Sequence, residues 1–290
     1  MSLDQLKKLA MELAHIEARA FDTVLPSAHI FQRTAVTVFE AVIYNPVICL
    51  ILQGRKEVNV GQQFVELGEG DVLLVSHDLP VASKITQAST ECPYQALIFS
   101  LDLSILRGLY EQVGETVSHK DHATSLSASK ADPAWTKPMV RYLELMKTPI
   151  DARVLGPLIL KEIHYRLLLS PIGGMLRNLL SVDSHASRIA KSTQWIRANF
   201  REPLLVGQLA QVAGMSQSSF HEHFKSVTGT TPLQYQKDLR MIKARALLER
   251  GVPSVSSAGF EVGYESATQF SRDYSRKFGC SPKHHHARAS

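Results

Sequence analysis

The chain writes one pattern twice. Val206–Pro232 reads VGQLAQVAGMSQSSFHEHFKSVTGTTP, and about fifty residues later Val255–Pro282 reads VSSAGFEVGYESATQFSRDYSRKFGCSP. Val212 answers to Val262, Ser216 to Ser266, Phe220 to Phe270, Phe224 to Tyr274, Gly229 to Gly279 and Pro232 to Pro282. Each copy holds a short apolar helix, a small-residue turn, a second helix opened by serine, and a Gly-x-[ST]-Pro exit. A repeated helix-turn-helix admits few folds: an all-α unit of two similar halves joined by one connecting helix.

In the first copy, about 205–228, Leu209, Ala210 and Ala213 form an inward face, Gly214 supplies the turn and Ser216 the N-cap. Phe220, Phe224 and Val227 then point inward, which leaves Gln217, Ser218, His221, Glu222 and Lys225 outward. The second copy, about 254–278, turns Ala258, Val262, Phe270, Tyr274 and Phe278 inward and presents Ala267, Thr268, Gln269, Arg272 and Arg276. Arg and Gln suit bidentate contacts with guanine and adenine edges, and Thr can meet a thymine methyl. Lys225, Arg276 and Lys277 are better placed to neutralise phosphates. Residues 232–250 between the copies predict a basic helix carrying Lys237, Arg240, Lys243 and Arg245. At about 1.5 Å per residue it spans roughly 27 Å, a strut able to hold two reading helices near one turn of B-DNA apart, about 34 Å.

Charge agrees. Residues 187–290 carry 15 Lys+Arg against 7 Asp+Glu, a net +8, whereas the preceding 186 residues sum to −3. A polyanion partner for the C-terminal part follows. The length of 290 residues favours two domains, with the boundary near Val182–Ser187: a unit at 1–184 and one at 185–290. No apolar run approaches the roughly 20 residues that span a bilayer. Leu3, Leu6, Leu9, Leu13 and Ile16 repeat at helical spacing, so the N-terminus reads as an amphipathic helix rather than a secretory signal. Cys49, Cys92 and Cys280 form no C-x-x-C pair, which fits a reduced cytosol and no structural zinc. A cytoplasmic, nucleoid-associated location is expected.

From Ala28 to Leu101, short runs such as PVICLILQG, RKEVNVG and DVLLVS are punctuated by Gly54, Gly61, Gly68, Gly70, Pro80 and Pro93, which favours a sandwich or small barrel. Lys56, Val58 and Val60 alternate; the ICLIL run should be buried on both faces. Such a unit either holds a ligand cavity or fills its core. Residues 101–182 read as helices, interrupted by a polar loop over Thr116–Lys130 and by Pro138, Pro149, Gly156-Pro157 and Ser170-Pro171. Two apolar stripes, Tyr142/Leu143/Leu145/Met146 and Leu155/Leu158/Ile159/Ile163/Leu167, either cover the strands or pair across a two-fold axis; a homodimer is favoured.

The second motif, GFEVGYESATQFSRDYSRKFGCSP, resembles the signature A-x-x-x-G-[FY]-x-S-x-x-x-F-x-x-x-[FY]-x-x-x-[FY]-G-x-[ST]-P of AraC/XylS-type transcriptional regulators, with Gly259 in place of the first small residue. The resemblance covers about 100 residues. It implies base-facing positions Ser218, His221 and Glu222 in the first reading helix and Thr268, Gln269 and Arg272 in the second. Glu222 stands where a basic or amide residue is commoner, and Gly259 costs up to about 1 kcal/mol of helix propensity relative to Ala. NPVICLILQGRKEV is similar to the pattern P-x-x-C-L-x-x-Q-G-x-K of the N-terminal part of these regulators. That implies a cupin-like β-barrel, about 28–101, with flanking helices over 101–182, for effector sensing and dimerisation. The expected class is therefore α+β in two domains, the second all-α. The expected partners are double-stranded DNA, a second copy, RNA polymerase and a small-molecule effector, with no membrane and no cofactor.

The rival class is a metal enzyme on a cupin barrel. It needs a His-x-His pair, a Glu and a later His, and the barrel offers only His29 and His77. His119 and His122 lie in the polar loop, and His284–His286 read as a solvated tail. No catalytic motif or metal set is assigned, and no enzyme is expected. Cys92 beside Glu91 leaves a thiol sensor open, although the acid raises a thiol pKa. A low-specificity architectural DNA binder would need mostly basic reading faces, and these carry Ser, Gln, Thr, Glu and one Arg.

Overall fold

The computed structural model describes residues 2–14, 24–61, 63–113, 124–181, 184–252 and 254–286. The chain runs through α1 (Ser2–Leu13), β1 (Ala28–Arg33), β2 (Glu40–Tyr44), β3 (Val47–Gln53), β4 (Arg55–Val60), β5 (Gln63–Leu67), β6 (Asp71–Val75), β7 (Leu79–Gln87) and β8 (Tyr94–Ser100). It continues with α2 (Leu103–Val113), β9 (Leu126–Lys130), α3 (Pro133–Glu144), α4 (Pro149–Leu169) and α5 (Gly174–Leu180). The C-terminal helices are α6 (His185–Ala198), α7 (Val206–Ala213), α8 (Gln217–Thr228), α9 (Pro232–Glu249), α10 (Val255–Glu261), α11 (Ala267–Phe278) and α12 (Pro282–His286). The result is a two-domain α+β architecture.

The strands form two antiparallel sheets, β1-β8-β3-β6-β9 and β2-β7-β4-β5. The ICLIL run is buried on both faces, and its two registers meet different partners. Ile48, Leu50 and Leu52 pack with α1 and the helices that follow the strands. Val47, Cys49 and Ile51 face the other way, toward Val58, Val60, Val81 and Ile85 of the second sheet. Each such side chain, once fully buried, stabilises by about 1.5–3 kcal/mol.

The sheets do not close into a barrel, which corrects the cupin-like barrel expected from the sequence. Pairing ends at β1 and β9 on one sheet and at β2 and β5 on the other, with no ladder between the sheets among the described residues. Closure needs a first and last strand in register. Here the chain leaves one sheet at Gly54 (φ +81), after a register shift between Ile51 and Gln53, and enters the other face-to-face. The free edge of β6 is taken by β9, drawn from the segment expected to be a polar loop. Leu126 is buried there, and Ser125 bonds the Val227 carbonyl.

Helices flank the sandwich as expected. Leu6, Leu9, Ala10 and Leu13 of α1 are buried; Ile16, His119 and His122 lie outside the described residues. Pro138 and Pro157 do not break their helices, contrary to the sequence reading. A proline inside a helix costs about 3 kcal/mol, and burial of Trp135, Met139, Ile163 and Leu167 around them outweighs it. The longer stripe divides: Ile163 and Leu167 are buried and Ile159 half-buried, while Leu155 and Leu158 are exposed, and Ile150 and Val154, outside the stripe read from the sequence, are exposed on the same helix α4.

The first helix-turn-helix, with α6 and α9 beside it, shares its apolar core with the sandwich: Ile196, Leu209, Phe220, Phe224, Val227 and Tyr235 belong to the cluster that contains Val60, Leu79 and Tyr94. Backbone meets backbone at Gly61 and Gly229, where an added Cβ on Gly61 would strike the Gly229 carbonyl. Tyr235 donates to the Asp78 carbonyl at 2.5 Å, and Arg197 pairs with Asp78 at 2.6 Å. The second helix-turn-helix has a separate core of Met241, Ala244, Leu248, Ala258, Val262, Phe270 and Tyr274.

Candidate nucleic-acid interface

Both repeats are built by the same local chemistry. Gly214 ends α7 with φ +62, and the Ser216 hydroxyl accepts from the Ser219 amide to open α8. Gly229 ends α8, after which Thr231 caps α9 with Pro232 in its first turn. In the second copy Ser254 caps α10, Ser266 caps α11, and Gly279 ends α11. Each cap satisfies an amide that the helix itself cannot, worth typically about 1 kcal/mol. Gly259 has a packing reason: a Cβ there would sit 3.0 Å from the Phe270 ring.

The ten residues read from the sequence as outward divide between two helices. On α8, Gln217, Ser218, His221, Glu222 and Lys225 are all exposed, opposite buried Phe220, Phe224 and Val227. On α11, Thr268, Gln269, Arg272 and Arg276 are exposed and Ala267 half-buried, opposite buried Phe270 and Tyr274. The strut forms over Pro232–Glu249, 18 residues, or roughly 27 Å.

The cations differ in what already holds them. Arg276 is paired with Asp273, and Lys277 with Asp238 at 2.6 Å. Asp273 also accepts from Tyr264 at 2.9 Å and has Lys237 at 3.8 Å. Burial, then the Asp273 carboxylate, pushes the Tyr264 phenol up. Arg272 and Lys225 make no ion pair among the described residues. Beside the reading face of α8, His223 stacks on His185 at 3.5 Å, and burial followed by the His185 charge lowers its pKa.

Arg240, read from the sequence only as one of four cations on the strut, does something else. It donates to the carbonyls of Phe200 at 2.7 Å, Gly263 at 3.0 Å, Arg201 at 2.9 Å and Glu202 at 3.1 Å, with its guanidinium over Tyr264. One side chain thereby ties the strut to the end of α6 and to the turn of the second repeat. The signal available was an Arg placed four residues after Gln236, which bonds two of the same carbonyls.

Of the histidines weighed as metal ligands, His77 is buried, bonded through Nε2 to the Ala186 carbonyl and through Nδ1 to Ser76. His285 is buried against Tyr274. Among the described residues no three His, Cys, Asp or Glu side chains gather as a metal set, and no helix is long and apolar enough to cross a membrane. Cys92 is exposed and Cys49 buried.

A family model described as the AraC-type transcriptional regulator N-terminus matches residues 24–175, and a helix-turn-helix domain model matches residues 209–288. The chain belongs to the AraC-type transcriptional regulators. It is similar to the virulence regulon transcriptional activator VirF of Yersinia enterocolitica, 25% identical over 239 residues, 80% of this chain and 86% of that one. The Msm operon regulatory protein of Streptococcus mutans is 22% identical over 82% of each chain. Fatty acid-bound ToxT from Vibrio cholerae shares the fold, with a TM-score of 0.58 and 10% identity over 89% of this chain and 92% of that one. As an AraC-type regulator the protein is a sequence-specific DNA-binding transcription factor and not an enzyme.

Proposed function

We propose that α8 and α11 enter successive major grooves on one face of the operator. Ser218, His221, Glu222, Thr268, Gln269 and Arg272 meet base edges in this reading, and Gln217, Lys225, Ala267 and Arg276 line the backbone. The observation that carries it is that these residues stand on the solvent side of two helices whose other sides are buried, joined by a rigid strut. Arg276 must exchange Asp273 for a phosphate to take part, so the free cations Lys225 and Arg272 carry more of the contact.

The division into a sensing unit up to about residue 184 and a reading unit from 185 is part of the same proposal. The exposed stripe Ile150, Val154 and Leu158 on α4 supports dimerisation through the sensing unit. ToxT is described with a bound unsaturated fatty acid, which supports an effector in the N-terminal sandwich here. The Yersinia relative is called a transcriptional activator, which supports a contact with RNA polymerase. Selection of genomic fragments with the purified protein tests the reading: enriched fragments share a bipartite site with halves about 10 bp apart. Enrichment without a shared site would instead mark the low-specificity architectural binder.

A further inference from the structure

Between the two sheets lies a cavity of about 320 Å³. Its walls are largely apolar, with Phe31, Val42, Ile85 and Ile98 among them, and Arg33 and Thr37 also line it. That volume accommodates on the order of ten heavy atoms, taking a water's share of about 30 Å³ as the unit.

The polar groups inside are unusual. Lys56 is 7% exposed, and its ammonium donates to the Tyr44 hydroxyl at 2.7 Å. Burial works against that charge and the hydrogen bond to the Tyr44 oxygen favours it, with the Lys56 pKa above the ordinary lysine value. Burial pushes the Cys49 thiol and the Tyr94 phenol up, so both are neutral near pH 7. Glu40 lines the same cavity, yet no carboxylate among the described residues comes within 4.0 Å of the Lys56 nitrogen. The Tyr94 hydroxyl, beside Cys49, is buried with no aligned hydrogen-bond partner. A buried ammonium with no counter-charge and a buried hydroxyl with no partner each carry an uncompensated desolvation penalty. Both residues line one largely apolar space, so one ligand can relieve both.

Building on the effector reading above, we propose that this cavity is the effector site and that its ligand is a small organic monoanion. The ligand is a carboxylate on an apolar body of about ten heavy atoms. Lys56 supplies the counter-charge, Tyr44 and Tyr94 the hydroxyl donors, and the sheet interior takes the apolar body. Charge-assisted hydrogen bonds of this kind are about twice as strong as neutral ones, so selection for the anion over an isosteric alcohol follows.

Titration calorimetry of the full-length protein with octanoate and with octanol tests this. Octanoate is expected to bind at least tenfold tighter than octanol. Lys56→Met, confirmed folded by its melting curve, weakens octanoate at least tenfold and leaves octanol unchanged. Tyr94→Phe, which scarcely changes volume, weakens octanoate about threefold. Equal affinity for the two probes, no octanoate binding, or a Lys56→Met protein that still prefers octanoate would each overturn the assignment. Fragment selection with the wild-type protein is run beside the calorimetry. Lost carboxylate binding alone therefore refutes this inference, and failure of the wild-type protein to enrich any site refutes the reading beneath it.

Discussion

Replacing Arg240 with alanine isolates the contribution of one side chain to the geometry of the two repeats. The guanidinium bonds four backbone carbonyls, and a hydrogen bond to a charged group contributes about 1.5–3 kcal/mol. The sum overstates the loss. Gln236 still serves the Phe200 and Glu202 carbonyls at 3.1 and 2.7 Å, so only Arg201 and Gly263 lose their one side-chain donor, and both can recruit water. Two half-exposed bonds and the lost packing over Tyr264 then give about 2 kcal/mol in all. Arg240→Lys keeps the charge without the planar fork and recovers about half. Urea unfolding followed by tryptophan fluorescence measures the loss, since Trp195 sits on α6 next to the tied segment. Hydrogen exchange at the Gly263 turn locates it, because exchange there should accelerate while the sandwich strands stay protected. A loss below about 0.5 kcal/mol, or Arg240→Ala and Arg240→Lys behaving alike, would refute the clamp.

Three further outcomes are expected. Arg272→Ala weakens specific binding by about 1–3 kcal/mol and relaxes preference at one base pair, whereas Lys225→Ala weakens all sequences alike and reduces the salt slope by about one; gel-shift titrations over a mutated operator series separate the two, and identical effects would sink the assignment. Burial lowers the pKa of His77 and of His164, so the unfolded chain binds protons that the folded chain refuses. The stability these neutral rings allow is complete above the unfolded value of 6.5 and is lost as pH falls through it toward the lowered folded values. His77→Gln should flatten that loss in denaturation measured from pH 8 to 5, and an unchanged profile would count against it. Val154→Glu on the exposed face of α4 should shift the sedimenting mass from two chains to one; a single-chain mass for the unaltered protein at micromolar concentration would end the dimer proposal.

The reading unit was legible because its signals are local. Serine caps, a glycine after each helix and aromatics four residues apart fix both repeats within a residue or two, and Ser216, Gly229, Ser266 and Gly279 perform the tasks their positions suggested. The sandwich was less legible because alternation tells which way a strand faces, never which edge it pairs. Barrel and sandwich therefore share one sequence pattern, and the fifth strand of the larger sheet hid in the polar sequence LSASK, buried mainly through Leu126. Lys56 stood in plain view in the inward register with Val58 and Val60, but its burial depends on a cavity that only tertiary packing creates. Arg240 was obscured for the opposite reason: a cation on a basic helix resembles its neighbours until the carbonyls that converge on it are in place.

The apolar core that the first repeat shares with the sandwich limits how freely evolution or a protein engineer can exchange parts. A fragment starting at Ser184 would bring into water the surface that now meets Asp78 and Val60, together with the backbone groove at Gly229 that receives Gly61. Grafting this reader onto a different sensor would therefore require rewriting the surface around Val227 and Tyr235. The second repeat keeps its apolar core in a cluster of its own, so substitutions inside that core leave the packing of the sandwich untouched.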